Sequence, residues 1–552
     1  MSTITKQNPV VDPYGRSEDS FREPPRTLGS VLRHLGPGVI LLGAIVGSGE
    51  LIMTTKLGAE AGFFMLWLVF VSCFGKFVVQ AELTRHTISS GKTFLQVFGN
   101  LPGPRFQRPA WLSLEWLAMV LLFSFIGLGV YTLLGEHRTA FSEAGIGAAI
   151  LLGALISAAV IASHRKRGKQ GLFRMETSEP RPNVNWFTCL WLSISLLFFI
   201  NGGAILGAAG QALQLAFPDL LGSGGSTKWA VIAAVLCAVL LISGKYSVLE
   251  KISLGMVAIF TVTTIICTIL LQWTGYAVTP EDLVQGLSFS FPSPLAAGVA
   301  LTALAMYAGT GIAWGEMCTY SYFCVEKGYA RFAGANVPDS EWPRRARGWI
   351  RVMYADVLFA LGIYTVGTVC FYFLGATILN RMEVNPQGPE TLRTLSLVYT
   401  ESLGSWAATL FVVGAFVVLF STVLSGAAGL SRLIADTFCV LGFIDPADYP
   451  RRLKVIRILI IVTLGVYAFS YSLFENPPLM LMMSSMIAVL MYPIQGLGAL
   501  YLRYYDVDKR ILPGRLITGW LWICGIAMAL ISSGTALLAL AISQGWIQMS
   551  GG

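Results

Sequence analysis

Charge is what this sequence has least of. Of 552 residues only 12% are Asp, Glu, Lys or Arg, while 55% are hydrophobic and the mean hydropathy is +0.67. A soluble domain needs about twice that share of charge to cover its surface, so the composition leaves a polytopic membrane protein. The nine cysteines stand singly, mostly inside apolar runs, and no CxxC occurs. Neither a disulfide framework nor a zinc site is expected. Histidine is rarer still: His34, His86, His137 and His164 are the four, and none falls inside an apolar run as delimited below. No imidazole is therefore expected at mid-membrane as a ligand or proton carrier. HExxH, GxSxG and the glycine-rich phosphate loop are also missing, which argues against an enzyme and against ATP-driven pumping. The first 30 residues contain no apolar core, so residues 1–35 read as a disordered cytoplasmic tail rather than a cleavable signal. The net charge of +8 lies in short loops between apolar runs. It sets membrane orientation and does not suggest nucleic acid; the lipid bilayer is the expected partner and no cofactor is implied.

What is present is a series of thirteen apolar runs of spanning length, at about 37–57, 62–84, 111–134, 144–163, 187–217, 229–244, 252–273, 295–323, 351–379, 404–430, 455–473, 478–502 and 516–543. Loop charge tests the count, because Lys and Arg gather on the cytoplasmic side. With the N-terminus inside, every connection after an even-numbered run is basic, from Arg85, Lys92, Arg105 and Arg108 to Arg503, Lys509, Arg510 and Arg515. The opposite loops, such as the one with Glu281 and Asp282, are neutral or acidic. The alternation survives all thirteen crossings and leaves the C-terminus outside, the pattern of a multi-pass plasma-membrane protein.

The first run is interrupted in an informative way. Gly36 to Lys56 carries Gly43, Gly47, Ser48, Gly49 and the carboxylate of Glu50 near its middle, where a lipid-facing helix should have none of these. Glycines loosen the helix, and the carbonyls freed by unwinding then need a partner. The second half repeats the pattern: Gly309, Gly315 and Glu316 align with Gly43, Gly49 and Glu50. Glycine-interrupted spans at corresponding places in two halves point to a transporter's substrate site.

GPG, eight residues and Gly-Ser-Gly-Glu, followed by LGAEAGFFMLWLVFVSCFGKFVVQAELTRHTISSGKTF, resembles the first two spans of the Nramp divalent-metal transporters. The stretch Gly244 to Lys251 is similar to the start of that family's fifth helix, and Phe420 to Phe438 to its eighth. The resemblance covers most of the chain. It implies an all-α, LeuT-like core of two inverted five-helix repeats with broken helices, plus an eleventh helix. On that plan residues 36–100 hold the first two helices, 101–182 an inserted helical hairpin, 183–274 the rest of the first repeat, 290–505 the second repeat and 506–552 a final span. The family's metal-binding Asp and Asn fall on Gly47 and Glu50. Its sixth-helix Met-Pro-His falls on Ala313, Trp314 and Gly315, so the thioether that favours soft metals is missing.

Gly47, Ser48, Gly49, Glu50, Ala313, Trp314, Gly315 and Glu316 are accordingly the candidate substrate-binding residues. Glu50 and Glu316, with backbone carbonyls and hydroxyls such as Ser48, Thr54 or Thr310, would make an all-oxygen site suited to a hard divalent cation such as Mg2+ or Mn2+. Lys76 within the second run, or Lys56, could instead neutralise Glu50 and make it structural. Trp314 reads as gate or filler, and Met317 and Cys318 as soft ligands or packing. Asp356 reads as a proton relay or a solvated helix end. Glu82 with Arg85, and Asp436 with Arg432, read as helix-end pairs. The expected function is secondary transport of a hard divalent cation by alternating access. A small organic cation or amino acid on the same fold, or a non-transporting sensor, are the alternatives.

Overall fold

The computed structural model describes residues 12–15, 21–47, 49–109, 181–222, 225–242, 246–292, 297–336, 341–404 and 406–543. The runs at 111–134 and 144–163, the expected hairpin, and Ser48 lie outside these residues. In chain order the helices are α1 (Leu28–His34), α2 (Pro37–Ile45), α3 (Thr55–Ala61), α4 (Leu66–Ser90), α5 (Phe94–Phe98), α6 (Trp186–Leu197), α7 (Phe199–Ala216), α8 (Gly225–Ile242), α9 (Tyr246–Leu270) and α10 (Pro280–Leu287). Then come α11 (Ala297–Gly309), α12 (Trp314–Lys327), α13 (Tyr329–Ala333), α14 (Glu341–Leu374), α15 (Thr391–Leu403), α16 (Ala407–Val440), α17 (Tyr449–Phe474), α18 (Pro477–Val489), α19 (Met491–Tyr505) and α20 (Arg515–Ser543).

Among the described residues nine helices are long and apolar enough to cross a membrane. The run at 37–57 is not one of the nine because it is broken into short pieces, α2 and α3. Burial separates inner from outer spans: 61% of the apolar window is buried in α4 and in α16, against 28% in α20 and 33% in α8 and α17. Helices that are apolar all round yet mostly exposed are lipid-facing, whereas α4 packs against α12, α14 and α20.

The chain divides into two units, one of Met1–Pro102, Phe187–Thr437 and Tyr449–Gly552, the other of Gly103–Trp186 and Phe438–Asp448. The smaller unit holds a two-stranded antiparallel ribbon, β1 (Arg105–Phe106) and β2 (Val184–Asn185), registered Arg105 to Asn185. Within it Arg108 donates to the carbonyls of Leu441 and Gly442 at 2.9 Å each and lies over the Phe443 ring.

Three expectations need correction here. Residues 21–35, assigned to a disordered tail, are ordered: the Arg22 N–H donates to the Phe332 carbonyl, Trp349 Nε1 donates to the Arg22 carbonyl, and α1 is capped by Thr27. Apolarity alone could not report this, because polar contacts to neighbouring helices hold the segment. The helix of the second run extends to Ser90, so His86 belongs to a span; it is buried, with Nε2 3.1 Å from Asp506. Arg432 does not pair with Asp436 but with Glu326 at 2.6 Å, while Asp436 is held by Arg452, Tyr322 and Thr93.

Candidate functional site

The site is built where two spans stop being helical. α2 ends at Ile45, Val46 leaves the helix at ψ 84°, and the chain resumes at Gly49 as a π-helical stretch, Gly49–Thr54, that runs into α3. α11 ends at Gly309, and α12 begins at Trp314 with Ala313 in extended conformation ahead of it. Between them Gly311 has φ +67°, a left-handed conformation that favours glycine. The breaks touch backbone to backbone: a Cβ on Gly49 would lie 2.1 Å from the Gly309 carbonyl oxygen. Any side chain at position 49 would force the breaks apart, which is the physical reason for glycine there.

Unwinding frees backbone groups, and buried side chains take them up. Glu50 Oε1 accepts the Gly311 N–H at 2.8 Å, and Oε2 accepts the Gly47 N–H at 3.2 Å. Its carboxylate thus joins one break to the other, using both oxygens as acceptors. Thr54 and Thr310 add a hydroxyl contact of 3.0 Å across the same junction. Lys76, fully buried on α4, donates to the carbonyls of Tyr307 and Thr310 at 2.5 and 2.7 Å, capping the C-terminal end of α11. Among the described residues it forms no ion pair with either glutamate, although its charge acts on both. Lys56 pairs with Glu60 at 2.6 Å and donates to Asn385, so it does not neutralise Glu50 either.

Glu316 is placed differently. It is the third residue of α12, at the positive end of a half-helix, and its Oε2 is buried with no hydrogen-bond partner among the described residues. It borders two cavities, of about 60 Å³ and about 30 Å³. Residues common to both are Ala44, Phe198, Asn201, Ile205, Glu316 and Thr422. Of the other candidates, Trp314 and Gly315 border the larger cavity, and Gly49 and Ala313 the smaller. Gly47 and Glu50 border neither. Trp314 packs edge-on to Phe198 at 5.2 Å and lies beside Trp191. Met317 and Cys318 are fully buried and away from both cavities, Cys318 donating back to the Trp314 carbonyl.

Asp356, read as a relay or a solvated helix end, is fully buried. It accepts the N–H groups of Gly36 and Gly38 at 3.1 and 2.6 Å and the Tyr320 hydroxyl at 2.8 Å, which pins the start of α2. Glu82 and Arg85 are likewise not ordinary helix-end charges. Both are buried, and Glu82 also meets Arg503 at 3.2 Å. Among the described residues no group of three or more His, Cys, Asp or Glu side chains could hold a metal ion. Sequence reasoning missed Asn201 and Thr422. Asn201 left a signal, an amide within the apolar 187–217 run; a threonine such as Thr422 is too common in spans to give one.

The family model described as natural resistance-associated macrophage protein-like matches residues 169–541, more than half of the sequence. The chain belongs to the Nramp family. The fold agrees: the crystal structure of the Eremococcus coleocola manganese transporter with an aromatic bis-isothiourea compound superposes with a TM-score of 0.55 at 14% identity, covering 96% of this chain and 95% of that one. A substituted variant of the same transporter gives 0.54 at 13% identity, covering 92% and 88%. Among curated proteins no sequence matches. This Nramp chain therefore has an all-α, LeuT-like fold with broken helices in a multi-pass membrane protein. In it the Glu50 carboxylate is turned to backbone N–H groups, and the carboxylate bordering open space is Glu316 on α12.

Proposed function

We propose that this Nramp protein is a secondary transporter of a hard divalent cation, of the Mg2+ or Mn2+ type, working by alternating access around the two breaks. The observation that carries the reading is Glu316: a carboxylate oxygen with no hydrogen-bond partner among the described residues, in the first turn of a half-helix, bordering two cavities. An unpaired carboxylate at that depth is costly unless a cation visits it. The polar side chains that border both cavities carry oxygen donors and no imidazole borders either, which suits a hard ion, while the Met53 thioether borders the smaller cavity alone. The related manganese transporter of the same fold adds support for a divalent metal as cargo.

The cavity sizes bear on the organic-cation alternative. About 60 Å³ is room for a few water molecules. Ligand pockets for organic molecules run to roughly 300 Å³ or more. We place the protein in the plasma membrane, with the cytoplasmic N-terminus that the loop charges favour. A membrane potential of 100 mV, negative inside, then favours inward movement by about 2.3 kcal/mol per charge, so a divalent ion needs no coupled proton to enter.

The test is uptake by proteoliposomes of the purified protein under an imposed potential, with Mn2+ and Mg2+ offered separately. Saturable uptake of at least one, insensitive to an imposed pH gradient, is the expected result. Failure to move either ion, alongside uptake of an amino acid or organic cation, would transfer the fold to the alternative function.

A further inference from the structure

Resting on the cation reading above, we propose that Asn201 of α7 and Thr422 of α16 complete the cation's binding ring opposite Glu316, at the junction of the two cavities. Six residues border both cavities, and three of them, Ala44, Phe198 and Ile205, are apolar. The other three are Asn201, Glu316 and Thr422, one from each of α7, α12 and α16. An ion passing from one cavity to the other meets these polar groups and no other polar side chain common to both spaces.

The local chemistry leaves both neutral oxygens able to accept. Thr422 Oγ1 lies 3.0 Å from the carbonyls of Gly43 and Val418, so its single proton is directed to backbone and its lone pairs remain for a cation. The hydroxyl is also fixed in place: a Cβ on Gly47 would lie 1.9 Å from it, so the first break rests directly on this side chain. Asn201 Oδ1 accepts from Ser484 Oγ at 3.1 Å, which orients the amide and leaves its second lone pair unused. One carboxylate with two neutral oxygens binds a hard ion and still releases it, which transport requires of a site in mid-path. Carrying the donors on three helices also means that moving any one of them relative to the others dismantles the ring.

The test uses the full-length protein and Mn2+ as the probe, with Kd from calorimetry and KM and maximal rate from proteoliposome uptake. Thr422→Val removes the hydroxyl and keeps the shape; Asn201→Leu removes the amide; Asn201→Asp adds a second carboxylate. The first two should each raise Kd and KM roughly tenfold with the thermal unfolding profile retained, and Asn201→Asp should lower Kd. Unchanged Kd and KM in Thr422→Val and Asn201→Leu, with wild-type uptake intact, would overturn the ring while leaving Glu316 and the transport reading standing. Should wild-type protein neither bind nor move Mn2+ or Mg2+, both inferences fall. If Thr422→Val does not fold, the opposed shifts expected of the two Asn201 variants decide the matter.

Discussion

Replacing each glutamate by glutamine separates their roles, because the change removes charge while keeping size. Glu50 uses both oxygens as acceptors of buried backbone N–H groups, one from each break. Glutamine offers one acceptor and turns a second donor toward the other N–H. A hydrogen bond to a charged group contributes about 1.5–3 kcal/mol, and an orphaned buried donor adds a desolvation cost of the same order. Glu50→Gln should therefore destabilise the fold by about 3 kcal/mol, roughly a hundredfold in the unfolding equilibrium. Glu316 Oε2 has no such partner, so Glu316→Gln should leave stability unchanged or raised. The same substitution should weaken Mn2+ binding by on the order of a hundredfold, the scale of removing one member of a buried charge pair. Thermal inactivation in detergent, followed by size-exclusion retention, reads the first effect, and calorimetric Kd the second. Glu50→Gln with wild-type thermal stability and abolished Mn2+ binding would refute the reasoning, since it would make Glu50 the ligand and its backbone contacts incidental.

Three further outcomes follow from buried partners elsewhere. Asp356→Ala strips acceptors from Gly36, Gly38 and Tyr320 at once and should cost about 3–5 kcal/mol, read as loss of folded protein after mild heating; unaltered yield and stability would show that α2 is pinned by other means. Lys76→Met removes the ammonium from the Tyr307 and Thr310 carbonyls, though Ser72 still donates to both, so the loss should be limited to about 1–3 kcal/mol in the same assay; no loss would dismiss the capping role. Just past the end of α19, the Asp506 carboxyl is held down at about 2, against an ordinary 3.8, by the hydrogen bond from His86. A depressed carboxyl contributes stability above its unfolded value and loses it as pH falls through the folded one. Thermal stability should thus decline between pH 4 and pH 2, and Asp506→Asn should flatten that decline; an unchanged slope would exclude the pair as its source.

Which parts were legible from residue order follows from where the physics is local. Both breaks could be read because glycines and a carboxylate within an apolar run contradict a lipid-facing helix over only a few residues. The role of Glu50 could not, because its second partner, the Gly311 N–H, lies in the other half of the chain and exists only once that break has formed. Lys76 illustrates the same limit. A lysine in a span must find a counter-charge or carbonyls, and the sequence offered two nearby acids but could not show that unwinding at Thr310 had freed carbonyls closer to hand. Asp436 was matched to the wrong arginine because spacing along one helix favours Arg432, while the fold brings Arg452 from the next helix to 2.9 Å.

The internal likeness of the two halves is therefore an incomplete guide to function. Glu50 and Glu316 occupy equivalent positions after equivalent glycines, yet one accepts a backbone N–H at each oxygen and the other keeps an oxygen with no partner among the described residues. The difference arises because the breaks cross: the Gly49 face lies on the Gly309 carbonyl, which brings Glu50 to the Gly311 N–H. Glu316, at the start of α12, looks toward α7 and α16 instead. Crossing two similar breaks so that one acid fastens the junction leaves the other free to bind. A symmetric pair of open carboxylates would have repelled each other and left both breaks unsupported.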